Sequence, residues 1–182
     1  MIAYAVTDPS TLDFNTLQRD MERFSKKASM IVYRDKFGTK SDVKLKAVDF
    51  VEAAKGFAFK QVLIHGDHVL ADSVKADGVH LTSQQLGDIA VAKAKDLFVV
   101  VSTHTLEELK KAELLGADMA TFSPIYETAN KGLPVGLEVL ENMISQVTIP
   151  ILALGGIVTE EQIAACERSG AAGFASIRYF AA

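Results

Sequence analysis

Two segments near the C-terminus contain the residues whose types and spacing most clearly suggest chemistry. Residues 149–157 form an apolar run ending in Gly155-Gly156, and residues 169–176 follow about two helical turns later. Adjacent glycines leave backbone N–H groups uncovered, so we expect a phosphate to reach them without meeting a Cβ atom. A tight turn after any parallel strand is the alternative interpretation, and the position late in the chain favours the phosphate.

Basic and imidazole side chains form a second set of candidates. Arg34 and Lys36 project the same way from an extended segment, so both can reach one anionic ligand. A surface salt bridge with Asp35 is the alternative. His65 and His104 each follow an apolar run, and an imidazole there can transfer a proton near pH 7. A histidine that only forms a structural hydrogen bond is the alternative for both.

The polar segment 127–132 supplies three further candidates. Glu127 is a candidate base, Thr128 a hydroxyl ligand and Lys131 an anion contact, whereas Gly132 and Pro134 are equally typical of a mobile loop. His80 alternates with apolar neighbours, which predicts a structural residue packed near the wall of a sheet. The histidines and carboxylates do not cluster with metal-ligand spacing, so we expect no metal site.

The elements that must position these residues follow from the apolar pattern. Eight short apolar runs with helical segments between them occupy residues 2–7, 30–34, 61–65, 78–81, 97–102, 119–123, 151–154 and 173–177. Near-continuous apolar runs are typical of strands buried on both faces of a parallel sheet. The pattern predicts an α/β fold, a (β/α)8 TIM barrel over residues 1–182, in which the loops after strands seven and eight usually bind phosphate. An open doubly wound sheet is the alternative, but the Gly-Gly turn comes too late for it.

The ends of the helices carry signals of their own. Thr105 and Thr159 precede helical segments that open with glutamates, which predicts two N-caps, and Ser83 is a candidate cap after the fourth strand. After the eighth strand only residues 179–182 remain, so we expect the final helix to be truncated. Apolar surface at the seam between the first and last strands would then be covered by a second copy of the chain in a homodimer.

Composition limits the class of protein. The 182 residues are 49% hydrophobic and 23% charged, with a net charge of -4 and no basic run, so we expect no nucleic-acid partner. No apolar stretch has the length of a membrane span, and we expect no membrane partner. The single Cys166 lies among alanines, where we expect a packing role, and one cysteine is typical of a reducing compartment. These features predict a cytoplasmic, single-domain protein.

Four motifs in order along the chain resemble those of a known family. They are residues 76–81 (Ala-Asp-Gly-Val-His-Leu), 102–108 (Ser-Thr-His-Thr-Leu-Glu-Glu), 116–118 with 123–126, and 149–157. Together they resemble the thiamine phosphate synthase superfamily, which includes the TenI-like thiazole tautomerases, over nearly the whole chain. The resemblance implies a (β/α)8 barrel that binds a thiazole phosphate at its mouth. It places the phosphate at Gly155-Gly156 and the backbone around Ala175-Ser176.

The departures from the synthase pattern concern magnesium. Where the resemblance implies Asn-Asp after the third strand, this chain has His65-Gly66, and where it implies a second carboxylate it has Gln85. The synthase pattern Gln-x-Arg-x-Lys keeps Arg34 and Lys36 but has Val32 in place of its glutamine. Mg²⁺ prefers hard oxygen ligands, so we expect no cofactor, and Mg²⁺ only if the protein is a true synthase.

The loop after the sixth strand is similar to the TenI-like branch in its Glu-Thr-x-x-Lys form, but Pro124 stands where tautomerases have a histidine. We therefore expect a TenI-like protein that binds a thiazole phosphate or a related phosphorylated heterocycle, with proton transfer by His65, His104 or Glu127. A divergent thiamine phosphate synthase that joins thiazole phosphate to a pyrimidine pyrophosphate is one alternative. A non-catalytic ligand-binding or regulatory relative is the other.

Overall fold

Eight parallel strands close into a barrel in a computed structural model that describes residues 1–181. The strands are β1 (Ile2–Val6), β2 (Met30–Tyr33), β3 (Gln61–His65), β4 (Gly78–Leu81), β5 (Phe98–Thr103), β6 (Met119–Phe122), β7 (Ile151–Leu154) and β8 (Gly173–Ser176). Each strand pairs with the next in chain order, and β8 pairs with β1. The predicted (β/α)8 barrel is confirmed, and no predicted strand end differs from the observed one by more than a residue.

Helices fill the connections between consecutive strands. They are α1 (Leu17–Ser25), α2 (Lys40–Ala54), α3 (His68–Ser73), α4 (Ile89–Ala94), α5 (Leu106–Leu114), α6 (Gly136–Ser145) and α7 (Glu160–Arg168), with 3-10 turns at Phe14–Thr16, Leu86–Asp88 and Arg178–Phe180. Thr105 and Thr159 cap α5 and α7 as predicted, and Thr159 forms a capping box with Gln162. The prediction for Ser83 is wrong, because the turn at Leu86–Asp88 separates it from α4.

Alternation along the strands divides the apolar residues into two cores. The outer core lies between the strands and the helices. The inner core fills the barrel with inward-facing residues of six strands: Tyr4, Val6, Met30, Val32, Leu63, Val100, Leu152 and Ala175. Because successive strand residues face opposite sides, the same alternation sends the next inward positions to the mouth of the barrel. Those positions carry the polar side chains described below.

The seam between β8 and β1 is covered by the chain's own last turn. Phe180 is 1% exposed and stacks on Phe174, with ring centroids 5.7 Å apart. Arg23 on α1 donates to the carbonyl oxygens of Phe180 and Thr11 and so fixes this turn against the barrel. Within residues 1–181, the element after β8 is the 3-10 turn Arg178–Phe180, and its Phe180 packs against Phe174 of β8. The homodimer stays a prediction, and Phe180 covers part of the apolar surface from which it was inferred. Within residues 1–181, no helix has the length and apolar character needed to cross a membrane.

Removing the Phe180 side chain tests its role at the seam. Phe180→Ala should lower the free energy of unfolding by about 3–5 kcal/mol, because it empties a buried aromatic site. Phe37→Ala makes the same chemical change at a side chain that is 90% exposed, and it should cost within about 0.5 kcal/mol. Urea unfolding of the two variants measures both values. Equal costs would show that Phe180 does not close the seam.

Candidate functional site

A cavity of about 540 Å³ opens at the carboxyl ends of the strands. Among its lining residues are nine of the ten site residues that the sequence predicted: Arg34, Lys36, His65, His104, Thr128, Lys131, Gly155, Gly156 and Ser176. These residues lie at or after the carboxyl ends of β2, β3, β5, β6, β7 and β8, and the closure of the barrel brings them to one mouth. The cavity is thus the candidate site.

The corner of the cavity beside β7 and β8 presents free backbone donors. Within residues 1–181, no acceptor lies within hydrogen-bond range of the amides of Gly156, Ile157 and Ile177, and all three residues line the cavity. Backbone N–H groups gathered at one concave point favour an anion. The geometry is therefore compatible with the predicted phosphate site.

The two glycines have a structural role that the sequence did not indicate. Gly155 and Gly156 have positive φ values of 107° and 68°. A Cβ on Gly156 would lie 2.5 Å from the carbonyl oxygen of Glu127, and one on Gly155 would lie 2.7 Å from Cα of Pro124. A side chain at either position would therefore meet the backbone of the loop after β6. The glycines let that loop approach β7.

Ser176 ties the two loops of the anion corner together. Its hydroxyl donates to the carbonyl oxygen of Ile157 at 2.8 Å and accepts from the amide of Tyr179 at 3.1 Å. A serine hydroxyl has one proton to donate, and here it is donated to the carbonyl oxygen of Ile157. Ser176 therefore contributes to the corner by fixing its backbone, which keeps the amides of both loops at the cavity.

Basic side chains give the cavity a positive field. Arg34, Lys36, Lys131 and Arg178 line it, with Asp8 the one carboxylate among the lining residues. The nearby Arg34 guanidinium, then burial, then Lys131 lower the pKa of Lys36, which shows that these cations repel one another. An anionic ligand would relieve that repulsion.

The salt-bridge alternative for Arg34 and Lys36 does not hold within residues 1–181. Neither side chain lies within 4.0 Å of a carboxylate oxygen. Asp35 instead accepts from the amides of Phe37 and Gly38 at 2.9 and 3.0 Å and so shapes its own loop. Both basic side chains are thus available to a ligand.

His65 is held neutral. Burial, followed by the charges of Arg34, Lys36 and Lys131, lowers the pKa of His65 to about 4. A general base works best with a pKa near the operating pH, so His65 is a weak base at neutral pH. Its neutral ring can still form hydrogen bonds to a ligand.

His104 has the better geometry for accepting a proton. Its Nδ1 lies 3.1 Å from the carbonyl oxygen of Ser123 and 3.3 Å from the Ser123 hydroxyl. A carbonyl oxygen only accepts, so Nδ1 carries the proton and Nε2 keeps a lone pair. Glu108 accepts from the His104 amide at 2.7 Å and holds the loop in place.

Glu127 is the one predicted site residue outside the cavity lining. Glu127 is exposed on the loop after β6. The neighbouring Thr128 lines the cavity, and its hydroxyl donates to the carbonyl oxygen of Tyr126 at 3.0 Å. The structure therefore gives no support to Glu127 as a base. Lys131, on the same loop, lies near enough to Lys36 to lower its pKa.

Sequence reasoning missed a buried polar group beneath the cavity. The Tyr4 hydroxyl lies 2.9 Å from Nδ1 of His80, and Nε2 of His80 lies 2.8 Å from the Ser102 hydroxyl. His80 is buried as predicted, but it also lines the cavity, as Ser102 does. The inward alternation of β1, β4 and β5 is the signal that could have found these three side chains together.

A neutral side chain stands at one position where the resemblance to synthases implies a magnesium carboxylate. The side-chain oxygen of Gln85 accepts from the backbone amide of Thr82, and its side-chain nitrogen donates to the carbonyl oxygen of Gly66 at 2.8 Å. This side chain links the loops after β3 and β4 at the position where a carboxylate ligand was expected. Among residues 1–181, no three histidine, cysteine or acidic side chains group as a metal site.

Fold and site together define a (β/α)8 barrel whose mouth is a positively charged cavity. The chain belongs to the thiamine monophosphate synthase family, whose model matches residues 3–180.

Two relatives and one solved structure illustrate the similarity. The chain is 36% identical to "Putative thiamine-phosphate synthase 2" of Aquifex aeolicus (strain VF5), over 97% of this chain and 96% of that protein. It is 33% identical to the thiamine-phosphate synthase of Halalkalibacterium halodurans, over 85% of this chain and 75% of that protein. The thiamine phosphate pyrophosphorylase structure from Pyrococcus furiosus superposes with a TM-score of 0.83 at 26% identity, over 97% of this chain and 85% of that one.

The close approach at Gly156 can be separated from the cost of its backbone conformation. Gly156→Ala should destabilise the fold by more than Gly116→Ala, because Gly116 also has a positive φ but has open space where a Cβ would lie. Gly116→Ala should cost about 1–2 kcal/mol of unfolding free energy for the left-handed conformation alone. Chemical denaturation of both variants measures the difference. If the two costs match, the loop does not depend on Gly156.

The lowered pKa of His65 predicts a pH effect on stability. Between pH 6.5 and about 4 the unfolded chain binds a proton at His65 that the folded chain does not, so the free energy of unfolding should fall as pH drops. The loss attributable to His65 is up to about 3 kcal/mol. His65→Gln should flatten the decline, as measured by unfolding at pH 7, 5.5 and 4. An unchanged slope in this variant would contradict the lowered pKa.

Proposed function

We propose that this protein binds a thiazole phosphate, or a closely related small phosphorylated heterocycle, at the mouth of its barrel. One observation carries the proposal: Gly156, Ile157 and Ile177, whose amides have no hydrogen-bond partner within residues 1–181, line the same cavity as Arg34, Lys36, Lys131 and Arg178. A phosphate accepts several charge-assisted hydrogen bonds there, at about 1.5–3 kcal/mol each. Membership of the thiamine monophosphate synthase family supports a ligand of this class.

The remaining part of the cavity suits a small ring. Val6, Leu154 and Ala175 provide apolar contacts at its base, and polar groups from β4 and β5 stand above the inner core. A ligand pocket with an apolar floor and a few placed polar groups fixes both the position and the orientation of a heterocycle. The phosphate would thus anchor the ligand while the ring lies over the floor.

We propose proton transfer on the bound ring as the reaction, with His104 as the group that takes and returns the proton. Its Nε2 lone pair is oriented by the hydrogen bond from Nδ1 to Ser123. His65, with its pKa lowered to about 4, would contribute a neutral hydrogen bond. Tautomerisation moves one proton between two ligand atoms, so it needs neither a metal ion nor a second substrate.

A divergent thiamine phosphate synthase is the second candidate, and a specific observation favours it. Arg34 and Lys36 follow β2, whereas the free amides follow β7 and β8, so the cavity offers two separate anion-binding regions. A pyrophosphate could occupy the basic region while a phosphate occupies the amide corner. Against this, the position expected to carry a magnesium ligand is the hydrogen-bonded Gln85.

Calorimetry with thiazole phosphate and with the unphosphorylated thiazole alcohol tests the anion corner. Loss of two or more charge-assisted hydrogen bonds should weaken binding of the alcohol at least about 100-fold. Amide chemical shifts of Gly156, Ile157 and Ile177 should move only with the phosphorylated compound. Lys110→Ala, at an exposed position on α5, should leave affinity unchanged. Equal affinity for the two compounds would place the phosphate elsewhere.

The same preparation separates the candidate reactions. Wild-type protein should interconvert the ring tautomers of thiazole phosphate without added Mg²⁺, and His104→Gln should slow this about 100-fold or more while binding persists. Proton NMR follows the conversion. Formation of thiamine phosphate after addition of the pyrimidine pyrophosphate and Mg²⁺ would establish the synthase candidate. Binding without either reaction would identify a non-catalytic relative.

A further inference from the structure

A chain of three polar side chains crosses the barrel interior just below the cavity. Tyr4 is fully buried and His80 is 3% exposed. The Tyr4 hydroxyl lies 2.9 Å from Nδ1 of His80, and Nε2 of His80 lies 2.8 Å from the hydroxyl of Ser102. Three strands, β1, β4 and β5, contribute one member each. Both ring nitrogens of His80 are therefore occupied.

Burial fixes the protonation state of two of the members. It raises the pKa of Tyr4 well above 10, so the hydroxyl keeps its proton. Burial, followed by the nearby His65 and Arg34, lowers the pKa of His80 well below 6.5, so the ring is neutral and carries one N–H. The Tyr4 hydroxyl therefore carries one proton and the His80 ring carries one N–H proton. The Ser102 hydroxyl carries a third proton of its own.

Only one arrangement of these protons satisfies the buried donors. Within residues 1–181, Nδ1 of His80 is the one acceptor in reach of the Tyr4 hydroxyl. If Nδ1 carried the ring proton, the hydroxyl proton would be buried without a partner, which is unfavourable because the desolvated donor gains no hydrogen bond. Tyr4 therefore donates to Nδ1, and the ring proton lies on Nε2 and is donated to Ser102.

The proton arrangement of Tyr4 and His80 determines the hydrogen bonding of Ser102, which lines the cavity. Its oxygen accepts from Nε2 of His80, and within residues 1–181 its own proton has no acceptor. We infer that Tyr4 and His80 are positioning residues that fix the tautomer of the imidazole and make the Ser102 hydroxyl a hydrogen-bond donor to the bound ligand. The ligand would accordingly present a lone pair, as a ring nitrogen does, at that point of the cavity.

The tautomer is testable without any ligand. Nitrogen-15 NMR of the histidine side chains in the free protein should show His80 with its proton on Nε2. Tyr4→Phe removes the donor to Nδ1 and should produce a mixture of tautomers. Tyr33→Phe is the matched control, because the Tyr33 hydroxyl is buried and has no hydrogen-bond partner within residues 1–181. It should leave the His80 signals unchanged.

The effect on the ligand rests on the proposed function and is measured separately. Thiazole phosphate should bind about tenfold more weakly to Tyr4→Phe and to Ser102→Ala, the size expected for one neutral hydrogen bond. The double variant should be no weaker than Ser102→Ala alone, because both changes remove the same donor. Ser102→Thr should restore affinity, and Tyr33→Phe should match wild type.

Two results would overturn the inference. One is an Nδ1–H tautomer of His80 in the wild-type protein, and the other is fully additive losses in the double variant. If wild-type protein does not bind thiazole phosphate, the proposed function fails, while the NMR measurement still decides the tautomer.

Discussion

The pairing of β8 with β1 is the constraint on which the rest of this structure depends. The register from Ile2 opposite Gly173 to Ala5 opposite Ser176 turns an eight-stranded sheet into a closed barrel. Gly173 makes this possible because a Cβ there would overlap the carbonyl group of Ile2. Closure removes both sheet edges and forces all the loops after the strands to converge at one end. A side chain after β2 can then share a cavity with backbone after β8.

The loops at that end are held by backbone contacts more than by side chains. The amides of Ile125 and Tyr126 donate to the carbonyl oxygens of Leu154 and Gly155, so the loop after β6 lies directly on the turn after β7. The glycine pair allows this contact, and Ser176 joins the β7 turn to the last turn of the chain. Such preorganisation keeps free amides in place without a ligand, which lowers the cost of binding.

The cavity contains neutral polar side chains as well as cations. Burial, followed by the neighbouring cations, lowers the pKa of His65, and burial also lowers the pKa of His80, so both imidazoles are neutral beside a positive field. Neutral rings form directional hydrogen bonds without adding to the repulsion among the cations. Gln85 bridges two loops with neutral hydrogen bonds where synthases are expected to hold a metal. The cavity proposed as the ligand site thus combines a positive field with neutral hydrogen-bonding groups.

The sequence by itself determined the fold, because strand and helix alternation depends on local hydrophobic periodicity that residues 2–177 display directly. It also located Arg34, His65, His104 and Gly156 at the ends of strands, and closure carried each to one mouth. It could not show that the backbone of Glu127 packs against Gly156, or that the Ser176 hydroxyl bonds to the carbonyl oxygen of Ile157. It also could not show that Phe180 packs at the seam between β8 and β1. Each of these contacts joins segments that are separated in the chain. Tyr4, His80 and Ser102 lie on three strands, and only the barrel's register brings their polar atoms within hydrogen-bond distance.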